Sequence, residues 1–195
     1  MDTFAEIFYP ELVADVQDIY WDTIHPIGQK VLGYHIKSVV IDRHNPEHLP
    51  LIKLFQKYQS ILSTHFLMIR LTPSYTTPIH MDGAVVGKRR PTSFNIPIQG
   101  CNNDCVTEFY DIPEESFWPD AVAATRWLKE DHTGPKIGEY RLTSNPVLVC
   151  PQTPHRVNNL NGTQERITVS WSLRTDWSFQ QALNFFKEQG RVVSD

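Results

Sequence analysis

A mainly β protein with flanking helices, closed into a sandwich or barrel, is the fold class this sequence predicts, and three features predict it. After Ser63 the chain turns into short runs rich in β-branched and aromatic residues, parted by Pro, Gly and Asn. Before Ser63, and again near the end, apolar residues recur at helical spacing. No repeat, low-complexity tract or Gly/Ser linker divides the 195 residues, a length that suits one domain. Many short strands with turns between them favour a sandwich or barrel.

The elements follow in order. From Pro10 to Ile24, Leu12, Val13, Val16, Ile19 and Tyr20 form a helical stripe, with Pro10 suited to a first turn. A second helix is expected from Leu49 to Leu62, where Leu51, Leu54, Phe55, Tyr58, Ile61 and Leu62 share a face. Both read as packing elements. Strands are expected at Phe66 to Leu71, Thr92 to Ile98, Glu108 to Tyr110, Tyr140 to Leu142, Val147 to Cys150 and Arg166 to Leu173. Asp111 to Asp131 interrupts them with a helical insertion around Ala121 to Leu128. Phe179, Ala182, Leu183 and Phe186 make a final helix, stopped near Gly190. The expected organisation is a single domain, with residues 1–64 as mainly helical support, 65–175 as a β-barrel core and 176–195 as the C-terminal helix.

Composition narrows the function classes. The chain is 41% hydrophobic and 195 residues long, so folding hides roughly 70% of the unfolded chain's surface and needs no metal as a staple. A metal-ligand set here therefore reads as functional. A formal net charge of −4 offers no long-range attraction to phosphate backbones or anionic lipid, so generic nucleic-acid or membrane binding is not expected. The one tight basic cluster, Lys88, Arg89 and Arg90, reads as a solvated loop. Cys101, Cys105 and Cys150 fit no disulfide framework and lack the further soft ligands of a zinc site. Met1 to Glu6 has neither a basic start nor an apolar run, and no later stretch reaches the length of a membrane span, so a cytoplasmic location is expected. Asn161-Gly162-Thr163 reads as a turn.

Three signals carry chemistry. In extended chain, residues two apart share a face, so His80 and Asp82 can reach one ion together while Met81 points away. Two imidazoles and a carboxylate form a set that Fe(II) accepts with coordination positions left open. A second imidazole is offered by His155, which follows the apolar run Val147 to Cys150 and a Pro-bounded turn, a position at a barrel mouth. Of the other histidines, His44 and His48 bracket Pro46, His25 precedes a proline, and His35, His65 and His132 have no companion at ligand spacing. Asn161-Gly162 is a hairpin signal joining the His155 run to Arg166. Alternation then places Arg166, Thr168 and Ser170 on one face and Ile167, Val169 and Trp171 on the other. An arginine facing a barrel interior needs an anionic partner, either a protein carboxylate or a ligand's.

His80-x-Asp82, then His155, then Arg166 eleven residues later with Thr168 two beyond, together resemble the double-stranded β-helix 2-oxoglutarate/Fe(II) oxygenase superfamily. Phe66 to Leu173 carries the resemblance, and its flanking runs Met68 to Leu71 and Ser93 to Ile98 look like strands of that barrel. The resemblance implies a jelly-roll, cupin-like barrel and a dioxygenase using Fe(II), 2-oxoglutarate and O2. Iron would take His80, Asp82 and His155, and 2-oxoglutarate would chelate it through the keto oxygen and nearer carboxylate. Arg166 would pair with the far carboxylate, helped by Thr168, with Asn95 beside the co-substrate. Succinate and carbon dioxide would be released as a substrate C–H bond is hydroxylated. Asp82 distinguishes the pattern from related halogenases, which lack this carboxylate. The substrate class stays open between a small molecule and a peptide side chain, with Trp118, Trp127, Arg89 and Arg90 able to border the mouth. Two other readings stay open: a cupin-like metalloenzyme that does not use 2-oxoglutarate, and a non-catalytic β-barrel binding module.

Overall fold

The computed structural model describes residues 3–25, 34–82, 84–85, 88–118, 125–129, 133–174 and 177–193. Its architecture is a double-stranded β-helix, built from two antiparallel sheets that face each other. Eight strands make the frame: β3 (Leu62–Leu71), β5 (His80–Asp82), β8 (Ser93–Gln99), β9 (Val106–Tyr110), β11 (Lys136–Arg141), β12 (Val147–Val149), β13 (His155–Asn159) and β14 (Arg166–Leu173). The major sheet runs β12-β8-β14-β3 and the minor sheet β5-β13-β9-β11, so the chain crosses repeatedly from one to the other. β1 (Phe4–Glu6) and β2 (Tyr34–Val40) extend the major sheet at its two edges. β4 (Tyr75–Thr76) and β10 (Thr125–Trp127) join the minor sheet, and β6 (Ala84–Val85) pairs with β7 (Lys88–Arg89).

The largest apolar core lies outside the barrel. The major sheet turns Phe66, Met68, Phe94, Ile96, Ile167, Val169 and Trp171 toward α1 (Pro10–Ile19), α2 (Leu49–Tyr58) and α3 (Phe179–Glu188). Those helices answer with Leu12, Val16, Leu51, Leu54, Leu183 and Phe186. α3 is fixed at its start by a capping box between Ser178 and Gln181. β14 is buried at every residue, because its other face looks into the barrel. That second face, with Arg166, Thr168 and Ser170, is left for polar work.

Four local expectations change. Ala121 to Leu128 was expected to be helical; its residues 121–124 lie outside the described residues, and Thr125–Trp127 is instead a strand paired to His80–Asp82. The edge of β5 offers unpaired backbone groups, and satisfying them outweighs local helix preference. Asn161-Gly162 lies in a turn, with Gly162 N donating to Asn159 O at 3.1 Å, but it closes no hairpin. β13 and β14 belong to opposite sheets, so the turn carries the chain across the barrel. The second helix ends at Tyr58, four residues early, because Leu62 is already pairing with Leu173 in β14. The first helix loosens into a π-helical turn over Tyr20–Ile24.

Candidate metal and anion site

Cross-strand pairing brings the two histidines together. His80 on β5 and His155 on β13 are direct register partners, so their side chains emerge side by side into the barrel with ring centroids 4.4 Å apart. Asp82, two residues along β5, points the same way. One ligand atom from each of His80, Asp82 and His155 lies within 4.8 Å of the other two. Met81 faces away and packs with Tyr110, Ile112 and Phe117.

Backbone carbonyls fix both imidazoles. His80 Nδ1 lies 2.9 Å from Pro78 O, and His155 Nδ1 lies 2.8 Å from Thr153 O. A carbonyl only accepts, so each Nδ1 carries the proton and each Nε2 presents its lone pair. This is how a protein orients histidine for a metal. Burial first, and then the neighbouring His155, push the His80 pKa down to about 4, so the ring is neutral near pH 7. Asp82 turns Oδ1 toward His80 Nε2 at 3.8 Å and Oδ2 toward Arg90 Nη1 at 3.6 Å.

Arg90 departs from the solvated cationic loop that the sequence suggests: it is 4% exposed. Its guanidinium is long enough to reach inward from the chain after β7 and find Asp82 and the β14 hydroxyls, which repay its desolvation. The side chains of Lys88 and Arg89 lie outside the described residues.

The same cavity holds the residues expected to receive an anion. Arg166, 3% exposed, and Thr168, wholly buried, line it together with His80, Asp82 and His155. Asn95 lines it too, and its Nδ2 donates to the Tyr140 hydroxyl at 2.6 Å. Arg166 acts on that hydroxyl electrostatically. Burial raises the Tyr140 pKa, so the phenol keeps its proton. With Asn95 donating to its oxygen, Tyr140 keeps its own proton to give a further acceptor. The sequence placed Tyr140 in a strand without linking it to the site. Alternation along β11 puts it on the barrel side, but only the sheet order shows that β11 lies in the same sheet as β5 and β13.

Other aromatic residues named earlier separate. Trp127 is a register partner of His80 and packs on its ring at 5.1 Å between centroids. Trp118 is 59% exposed and carries Lys129 over its face. Cys101, Cys105 and Cys150 are free thiols. Among the described residues, no helix is long and apolar enough to cross a membrane.

No protein-family model matches the chain. No curated protein matches it either. Among solved structures, a Pseudomonas putida prolyl-4-hydroxylase is 14% identical, with 88% of this chain and 91% of that chain covered and a TM-score of 0.45. AviO1 from Streptomyces viridochromogenes is 16% identical, with 91% of each chain covered and a TM-score of 0.45. E. coli ycfD is 12% identical at a TM-score of 0.44, with 84% of this chain covered, and this chain spans only 39% of its length.

Proposed function

We propose that the protein is an Fe(II)- and 2-oxoglutarate-dependent dioxygenase that hydroxylates a substrate C–H bond, with release of succinate and carbon dioxide. One observation carries the proposal: a two-imidazole, one-carboxylate cluster and a buried arginine line a single cavity between the sheets. The cluster alone suits several divalent metals, and the arginine alone suits many acids. Together they suit a ligand that chelates a metal at one end and offers a carboxylate at the other.

The residues fit both groups. His80 and His155 have the tautomer a metal requires, and Asp82 supplies the charge that a dication favours over neutral ligands. Arg166 would hold the far carboxylate of 2-oxoglutarate, with Thr168 and Tyr140 offering hydroxyl donors at the same end. Bound iron and keto acid would supply the oxidising chemistry. The chain's own work is to orient the co-substrate between two fixed points and to hold the His80 imidazole unprotonated in a buried cavity lined from both sheets.

The test is anaerobic addition of Fe(II) and then 2-oxoglutarate to metal-free protein, followed by visible absorption. The expected result is a charge-transfer band that saturates with 2-oxoglutarate and disappears in His80→Ala. Iron binding with no response to 2-oxoglutarate would favour a cupin-like enzyme in which Arg166 grips an acid of its own substrate. No metal binding at all would leave a β-barrel binding module.

A further inference from the structure

We infer that Arg90 is a positioning residue that keeps Asp82 a one-oxygen ligand, so that the metal retains a third open coordination position. The inference rests on the proposed metal site and assigns a role to a residue outside the ligand set.

Arg90 is held from several sides. Its Nε donates to Ser172 Oγ at 2.9 Å, and its Nη2 donates to Ser170 Oγ at 3.0 Å and to Ser170 O at 3.1 Å. Ser172 Oγ in turn lies 3.0 Å from His65 Nδ1, and His65 Nε2 lies 2.9 Å from Ser38 Oγ. The guanidinium is thus anchored to β14 in the major sheet, while its remaining nitrogen, Nη1, faces Asp82 Oδ2 in the minor sheet. Gln152 Nε2 fixes the backbone beneath, donating to Asp82 O at 2.6 Å.

The two oxygens of Asp82 therefore have different neighbours. Oδ1 faces His80, and Oδ2 faces a fixed cation. Swinging Oδ2 onto the metal would draw it from the guanidinium that balances its charge in a buried place, which is unfavourable. An octahedral ion held by two imidazoles and one carboxylate oxygen keeps three positions; a second carboxylate oxygen would take one of them. A chelating keto acid and a further small ligand together need all three. Arg90 would act on those ligands through Asp82, which its Nη1 faces.

Mn(II) is the probe, and water-proton relaxation per bound ion counts exchangeable waters on it. The parent is expected to show three waters and Arg90→Met two, a fall of about one third per bound ion, with Arg90→Lys restoring the parent value. A merely structural Arg90 would change Mn(II) affinity or melting temperature while leaving relaxation per bound ion alone. Three waters in folded Arg90→Met, or two in the parent, overturns the inference. The parent measurement needs no variant, and Arg90→Gln, whose amide stands where Arg90 Nε meets Ser172, replaces Arg90→Met if that variant does not fold. Failure of Mn(II) to bind the parent sinks the metal reading and this inference together, whereas unchanged waters in Arg90→Met sink this inference alone.

Discussion

Replacing Arg166 by methionine removes the cation from the inner end of the cavity and keeps most of its apolar length. Arg166 is 3% exposed, so any carboxylate paired with it is stripped of water on both sides. Truncating one partner of such a buried, hydrogen-bonded charge pair costs about 2–5 kcal/mol. The hydroxyls of Thr168 and Tyr140 remain, and so does chelation at the metal end, which places the loss toward the lower part of that range. A loss of about 3 kcal/mol is roughly a 150-fold weaker affinity for 2-oxoglutarate. Arg166→Lys keeps the charge but not the planar fork and should lose about tenfold. The assay is anaerobic titration of Mn(II)-loaded protein with 2-oxoglutarate by calorimetry, alongside a Mn(II) titration expected to match the parent. An Arg166→Met protein that melts cooperatively, binds Mn(II) and holds 2-oxoglutarate as tightly as the parent would refute the reasoning.

Three further outcomes are expected. His80→Ala should weaken Mn(II) binding by more than about 100-fold in a calorimetric titration, because even partners behind the ligands are worth up to that much. In metal-free protein the His80 ring should titrate by NMR near its depressed pKa of about 4 and not at the ordinary 6.5. The unfolded chain takes up this proton at higher pH than the folded one, so the contribution is intact above about 6.5 and is lost as pH falls toward 4. Between pH 6 and 5 it amounts to about 1 kcal/mol, readable by urea unfolding, and His65, also pushed down to about 4 by burial, acts in the same direction. Gly100→Ala should destabilise the fold by about 2 kcal/mol or more in the same assay, since Gly100 sits at φ +61° and a Cβ there would meet Glu165 O at 2.3 Å.

Much of the site was legible because it depends on two-residue alternation within strands. His80 with Asp82, and Arg166 with Thr168 and Ser170, are local patterns, and the structure keeps each pair on the face the spacing gives. What joins those patterns is sheet order, which no local pattern encodes. The pairing of His80 with His155 spans 75 residues of chain and was reached through a resemblance in spacing. Arg90 was misread because three adjacent cations look solvated, and only the position of Asp82 and the β14 serines makes burying one of them favourable. Tyr140 escapes notice because the charges beside it, Glu139 and Arg141, pair with each other and mark no site. The strand at Thr125–Trp127 exists to satisfy the edge of β5, a requirement set by the partner. β2 was hidden because His35 and Lys37 break the apolar texture of a strand that lies at the sheet's edge.

The most direct measurement is a crystal structure of the protein with Mn(II) and an inert analogue of 2-oxoglutarate. The account predicts density for one ion touching His80, Asp82 and His155, and for an analogue running from that ion to the Arg166 guanidinium. An ion bound elsewhere, or an analogue whose far carboxylate turns away from Arg166, would contradict it.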